Sequence, residues 1–265
     1  LKNAQNAMED GYPFSKSLLK TMHQQLLSYG RGANKSPGAF KHEQNYLADK
    51  SKKAILFVPI SPEKLTEGLD KLFAYINHDS TPTLAKTAVS HLEFEALHPF
   101  QDGNGRIGRM LITLMLWQAK AISAPHFYIS GYFEEHKERY IELMRQVSQT
   151  GDWNAWCIFF FEAIDWQAKH NLTIAQNIHT LYEEMKSVFA ETLSSKYALA
   201  VLDFVFTYPV FRNSRLTELT QIPSATANRF TKALLEKGIL SLKEEASGRK
   251  SALYSFEQMM TLVRV

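Results

Sequence analysis

The chain has 265 residues, 45% of them hydrophobic and 22% charged, an ordinary globular balance that excludes collagen-like, disordered and small disulfide-scaffold classes. Thirty basic residues against 27 acidic ones leave a net charge of +3, and the excess sits late in the chain. Residues 194–265 hold ten Lys/Arg and six Asp/Glu, net +4, whereas residues 1–193 hold 20 and 21, net −1.

A single cysteine, Cys157, permits no internal disulfide and suits a reducing compartment, so a cytoplasmic address is expected. The longest apolar stretch, Trp156 to Phe161, is far short of a membrane span, and the N-terminus lacks the charged-then-apolar order of a signal peptide. Because the chain opens on Leu1-Lys2-Asn3 rather than Met, its natural start is expected upstream.

In chain order, apolar residues recur at helical spacing in Ser15–Leu27, Pro62–Ile76, Thr81–Leu97, Arg106–Ala119, Glu134–Val147 and Asn154–Asp165, then on to about Leu193. This predicts a mostly helical domain over residues 1–193. Asn45-Tyr46-Leu47 and Ile55-Leu56-Phe57-Val58 flank the polar turn Asp49–Lys53 and predict one β-hairpin, stopped by Pro59. Trp153, Trp156 and Phe159–Phe161 stand at helical spacing and are read as core, with Cys157 among them an inert thiol.

Composition shifts after Ser194-Ser195, so a second, smaller domain is expected over residues 194–265. Lys196–Val205, Arg215–Thr220 and Ser224–Lys237 read as helices, the last opened by an N-capping Ser after Ile222-Pro223. Two β-like segments follow, Ile239–Lys243 and Ala252–Phe256, joined through Glu244–Lys250. Three helices and a hairpin in about 70 residues resemble a winged helix.

One stretch departs from helix and core logic: His98-Pro99-Phe100-Gln101-Asp102-Gly103-Asn104-Gly105-Arg106-Ile107-Gly108-Arg109. It gathers a His, a carboxylate, two loop glycines and two arginines between a helix ending at Leu97 and another starting near Arg106. Gly103 and Gly105 can take positive φ and leave consecutive amides uncovered, and the following helix presents its positive end and free N–H donors. Arg106 and Arg109, three residues apart on that helix, reach one anion from the same side, which suits an extended polyphosphate. Asp102 beside such a nest would repel phosphate unless a cation lies between them, so Mg²⁺ is expected there. His98 is the natural group to take a proton from an attacking hydroxyl near neutral pH.

Other readings of the same letters fail. Gly103 to Gly108 fits G-x-G-x-x-G, yet it follows a helix and no βαβ pattern surrounds it. There is no P-loop sequence and no kinase set. His91, Glu95 and His98 share a helix at i, i+4 and i+7, but the spacing is not H-E-x-x-H, and His91 is read as a structural or surface residue.

His98 to Arg109 resembles the signature of the Fic (Fido) family, H-P-F-x-[DE]-G-N-G-R-x-x-R, with every fixed position matched. The likeness extends to Ser36-Pro37-Gly38-Ala39-Phe40, to Gln44-Asn45, to the hairpin around Ile55–Pro59 and to Gly131-Tyr132-Phe133 with Tyr140, across residues 1–190. It implies a Fic-type helical domain with one β-hairpin flap, followed by the winged-helix domain common in bacterial members. The implied activity is protein adenylylation: AMP passes from ATP to a Tyr, Thr or Ser hydroxyl of a target protein, releasing pyrophosphate.

Carried over, His98 resembles the general base and Asp102 the Mg²⁺ ligand. Gly103, Asn104, Gly105 and Arg106 resemble the α/β-phosphate cradle, Ile107 and Gly108 continue the ATP-binding segment, and Arg109 resembles the holder of the γ-phosphate. Phe100 is read as a core anchor for the loop. Tyr132, Glu135 and Tyr140 fall where members line the adenine pocket. The hairpin Asn45–Val58 resembles the flap that holds a target segment by strand addition. A homodimer is compatible with this reading. Relatives that remove AMP, or transfer phosphocholine or phosphate, use related loops, so AMP removal by the same His and metal stays open.

Most members also carry a self-inhibitory helix with [ST]-x-x-x-E-[GN]. Here Glu67-Gly68 supplies only the last pair, with Glu63 at the Ser/Thr position, and Ser187–Glu191 is followed by Thr192 instead of a small residue. The resemblance therefore puts such a helix upstream of Leu1. In the C-terminal domain Ser224, Asn228, Arg229 and Lys232 could enter a DNA groove with Arg249-Lys250 on the wing, but +4 is weak for DNA and a packing role is favoured. A transcriptional regulator with a nucleotide-sensing domain is the alternative for the whole chain.

Overall fold

A computed structural model describes residues 1–28, 35–48, 54–248 and 250–264, so the expected turn Asp49–Lys53 and Arg249 lie outside the described residues. The chain divides into two compact units, Leu1–Ala168 and Lys169–Val265. Among the described residues no helix is long and apolar enough to cross a membrane.

The first unit runs α1 (Lys2–Glu9), α2 (Lys16–Leu27), β1 (Leu47–Ala48), β2 (Ile55–Phe57), α3 (Pro62–His78), α4 (Thr83–Leu97), α5 (Asn104–Gln118), α6 (Ser130–Glu135), α7 (Lys137–Thr150) and the start of α8 (Asn154–Leu193). The protein is mostly α, as the periodicity predicts. Ser15 caps α2, its Oγ accepting the Leu18 N–H at 3.2 Å. Pro62 opens α3, where its missing N–H is harmless. The hairpin pairs Leu47 with Phe57 and Ala48 with Ile55 in antiparallel register. Periodicity missed α1 and α6, which are too short to display a full apolar stripe.

Two hydrophobic clusters explain why α4 and α5 form the central pair. Leu69, Phe94, Phe100, Ile107 and Leu114 are fully buried in one cluster with residues of α2 and α3. Leu92, Ile112, Leu143, Trp156 and Phe160 build the other with α6, α7 and the first part of α8. With apolar neighbours on both sides, α4 carries even its polar residues His91 and Glu95 inside. The aromatic run at the start of α8 divides: Trp156, Phe159 and Phe160 are core, Trp153 and Cys157 are half-buried, and Phe161 is exposed. Burial pushes the Cys157 thiol up, which fits an inert group.

The second unit contains the later part of α8, then α9 (Ala198–Thr207), β3 (Val210–Arg212), α10 (Asn213–Thr220), α11 (Ser224–Glu236), β4 (Ser241–Glu244), β5 (Leu253–Ser255) and α12 (Glu257–Val263). Its three strands lie in the order β3-β5-β4, antiparallel throughout, with Tyr254 of β5 opposite both Phe211 and Leu242. The β4 and β5 pair is the expected hairpin, while β3 and α12 were not legible from their few residues. Composition shifts at residue 194, but the units divide at Ala168 and Lys169, inside α8. The reason is packing: Met185, Phe189 and Leu193 of α8 belong to the core formed by Phe204, Phe211, Phe230 and Phe256.

Trp156 tests this account of the first core. It is fully buried, packs on His91, Tyr140 and Phe160, and donates its indole N–H to Ala88 O at 2.8 Å. Trp156→Ala is expected to cost about 3–5 kcal/mol by cavity formation, read as a lower urea midpoint; a shift under about 1 kcal/mol would contradict the packing described.

Candidate active site

The dense polar segment of the sequence is the turn between α4 and α5, and two left-handed residues shape it. His98 closes α4 at φ 44° and Gly103 opens α5 at φ 85°. Of the two loop glycines only Gly103 needs the left-handed region, since Gly105 lies in the first turn of α5. The amides of Asn104, Gly105 and Arg106 belong to that first turn, which helix geometry leaves without intrahelical acceptors; the first return bond is Ile107 N–H to Gly103 O at 3.0 Å. His98 thus faces the positive end of α5 across a short loop.

Side chains from elsewhere hold the loop. Asn104 is 2% exposed and clamps Phe100 from both sides, accepting its N–H at 2.9 Å and donating to its carbonyl at 2.7 Å. Phe100 is buried as an anchor, and its ring stacks on His23 at 3.7 Å. His23 Nε2 lies 2.9 Å from Asp102 O, and its Nδ1 accepts the Gly38 N–H at 2.9 Å. Those partners require a neutral ring with its proton on Nε2. Burial lowers the His23 pKa, in keeping with that state.

Asn45 and Lys41 brace the other end. Asn45 Nδ2 donates to His98 O and Phe100 O, both at 3.0 Å. The buried Lys41 ammonium donates to Asn45 Oδ1 at 2.8 Å and to Leu97 O at 3.1 Å, and burial lowers its pKa to about 8. Gln44 Nε2 bonds Pro59 O at 2.9 Å and so ties the base of the hairpin.

At the mouth, His98 Nδ1 lies 3.3 Å from Glu95 O, a carbonyl that can only accept, so the ring proton belongs on Nδ1 and Nε2 keeps its lone pair. Burial first, and then the Lys41 charge, lower the His98 pKa to about 4, leaving the ring neutral at pH 7. Asp102 Oδ1 accepts the Gly103 N–H at 2.7 Å, and its Oδ2 stands 3.5 Å from Arg106 Nη2. A recess of about 190 Å³, lined by Met110, Thr113, Phe127 and Tyr128 among others, adjoins Arg106 and Arg109.

The turn thus carries His98 at the end of α4 and Asp102, Gly103, Gly105, Arg106 and Arg109 at the start of α5, where Asp102 meets Arg106 and both arginines line one recess. Three other expected ligand contacts turn inward. Ile107 is fully buried in the core, the Asn104 side chain is spent on Phe100, and Gly108 sits against α4. A Cβ on Gly108 would come within 2.4 Å of Glu95 Oε1 and 3.2 Å of His91 Cε1, so a larger residue there would displace the Glu95 carboxyl. Tyr140 also points inside, its hydroxyl 3.0 Å from His91 Nε2. Tyr132 is half-buried against His136 and Phe159, Glu135 is exposed at the end of α6, and none of these three lines the recess beside the arginines. His91 is structural: it is 2% exposed and burial lowers its pKa to about 3. Among the described residues no group of three or more His, Cys, Asp or Glu side chains could hold a metal by itself.

Comparison with known proteins fits this geometry. Residues 13–116 match the family model of the Fic/DOC family. The chain carries a Fic domain. Protein adenylyltransferase fic-1 of Caenorhabditis elegans is 36% identical over 66 residues, 24% of this chain and 13% of that protein. The probable protein adenylyltransferase aq_aa38 of Aquifex aeolicus (strain VF5) is 29% identical over 73 residues, 28% of this chain and 20% of that protein. The chain thus matches only a small part of the length of these curated relatives. Among solved structures, a Fic family protein from Desulfovibrio desulfuricans G20 superposes with a TM-score of 0.57 at 16% identity, over 96% of this chain and 72% of that one, a likeness of fold.

Sequence reasoning about the Fic domain missed His23 and Lys41, which lie far from the signature and carry no motif of their own.

The buried histidines set a pH dependence. His23, His91 and His98 have folded pKa values below the ordinary 6.5, so the unfolded chain takes up protons first as pH falls. Their contribution is complete above pH 6.5 and is lost on acidification towards the folded values. Glu93 and Glu95, both raised by burial and the latter to about 7, act in the opposite sense above 4.5. Three groups outweigh two, so the melting temperature is expected to fall from pH 6.5 to pH 4.5; a rise over that interval would contradict the assignment of neutral buried rings.

Proposed function

We propose that the Fic domain transfers AMP from ATP to a hydroxyl on a target protein, releasing pyrophosphate. This reading is supported by a neutral His98 with Nε2 free at the end of α4 and, five residues on, the first-turn amides of α5 beside Arg106 and Arg109. His98 accepts the proton of the incoming hydroxyl, whose oxygen attacks the α-phosphorus while the bond to the β-phosphate breaks. The amides of Asn104, Gly105 and Arg106 and the two guanidiniums hold the phosphates, with Arg109 on the γ-phosphate. The recess beside the arginines gives an apolar seat next to an anion site, the pairing that a nucleotide requires.

Asp102 suits Mg²⁺ in one specific way. It is a single hard oxygen donor beside an anion nest, and Mg²⁺ is commonly held by one or two carboxylates together with substrate phosphates. Bound there, the ion would neutralise charge on the α- and β-phosphates. The hairpin of β1 and β2 is the surface on which an extended target segment would lie.

The second unit is read as a winged helix serving as a packing module. Asn228 of α11 accepts a hydrogen bond from Asn213, so one of the four groups that would read DNA is already engaged within the unit.

ATP labelled at either the α- or the γ-phosphate separates the chemistries: α-label on protein is AMP transfer, γ-label is phosphate transfer, and binding without labelling is a sensor. His98→Ala is expected to lose transfer by a factor on the order of 10² to 10⁴ while ATP binding persists. A parental rate in that variant would overturn the assignment. Asp102→Ala should lose most activity together with its Mg²⁺ dependence, and an unchanged Mg²⁺ titration would remove the metal from Asp102.

A further inference from the structure

Glu95 lies one turn before His98 on α4 and is 5% exposed. Its carbonyl oxygen accepts the His98 Nδ1–H at 3.3 Å, and its carboxylate Oε2 stands 3.8 Å from the same nitrogen. Its other oxygen, Oε1, is buried without a hydrogen-bond partner and is aimed at the bare Cα of Gly108, where it fills the place a Cβ would take. Burying a carboxyl with one oxygen unpaired costs free energy that a leucine there would not, and the glycine at 108 adds a helix-propensity cost of about 1 kcal/mol. Core packing alone does not account for an acid at this position.

The surroundings point to His98. Charged and titratable groups face the Glu95 carboxyl from each neighbouring element: His91 and His98 on α4, Arg109 on α5 and Tyr140 on α7, while Lys41 acts on His98 from the segment before β1. Burial raises the Glu95 pKa to about 7, and Arg109 pulls it back towards ionisation. A neighbour that ionises near neutrality thus stands behind a histidine that burial has made a weak base.

We propose that Glu95 is the positioning residue for His98: its carbonyl and carboxylate together hold the ring with Nδ1–H turned inward and Nε2 free, and its negative charge stabilises the imidazolium formed when Nε2 takes a proton. The second half of this role rests on the reading of His98 as the base. The logic is that of a carboxylate orienting a histidine base in acyl transfer, here with donor and carboxylate on one helix turn.

The test is an NMR titration of the histidine ring nitrogens in the full chain, with His98 assigned by the signal missing from His98→Ala. In the parent the His98 Nδ1 shift is expected to inflect near pH 7 as Glu95 ionises, and in Glu95→Gln that inflection should vanish. No inflection in the parent, or the same one in Glu95→Gln, overturns the proposal. Should Glu95→Gln not fold, Glu95→Asp decides, because the shorter carboxyl has a lower intrinsic pKa and must move the midpoint down; a parental midpoint overturns it.

A second readout is the pH profile of AMP transfer. In the parent kcat/KM should rise through an apparent pKa near 7, and Glu95→Gln should lose that limb with a rate lower by about 10- to 100-fold, partly restored in Glu95→Asp. An unchanged profile in Glu95→Gln overturns the role in proton transfer. The titration needs no turnover, so a parent that transfers no AMP would refute the proposed function while the NMR arm still decides whether Glu95 and His98 are coupled.

Discussion

Everything at the candidate site depends on where one turn sends its carbonyl groups. The chain between α4 and α5 has no ladder partners, and a buried carbonyl without a donor is costly. The structure supplies the donors one by one: the Lys41 ammonium for Leu97, Asn45 for His98, the Lys41 N–H for Pro99, Asn45 and Asn104 for Phe100, and His23 for Asp102. With its acceptors occupied from within, the turn is free to present amides outward at the start of α5. That is preorganisation in a concrete form, because donors aimed at an anion need not be reoriented when one arrives.

Placing this turn between the central helices has a further effect. Both α4 and α5 are covered by apolar clusters on two sides, so polar groups on their shared seam are deprived of water. His91, Glu95 and His98 all shift in the direction that disfavours charge, and each shift has burial as its leading cause. The chemistry proposed for the Fic domain follows from that position in the core as much as from the identity of the side chains.

The sequence showed the helices well where an apolar stripe was long: Ser15 capping α2, Pro62 opening α3, and the switch from α4 to polar loop to α5. It showed the loop because so many special residues were crowded together with little apolar content. It did not show which way the side chains of that loop would turn. Asn104 looks like a ligand group by type, and only the backbone path reveals that its amide is needed by Phe100. His23 and Lys41 were invisible for a different reason. Each is a single residue whose partner is brought near by the fold, and no local pattern records that meeting. Strand β3 escaped because it stands alone between two helices and its partner β5 lies far along the chain, so no facing segment marks it as half of a hairpin, and the division inside α8 escaped because a continuous helix gives no compositional sign of which core its residues join.

Gly108 and Glu95 occupy one volume between two helices, and that volume admits either a carboxyl from α4 or a Cβ from α5. A larger residue at either position would need its neighbour to give way. A side chain gained at 108 would push first on the Glu95 carboxyl, so the packing of α5 against α4 and the placing of that carboxyl are one and the same constraint.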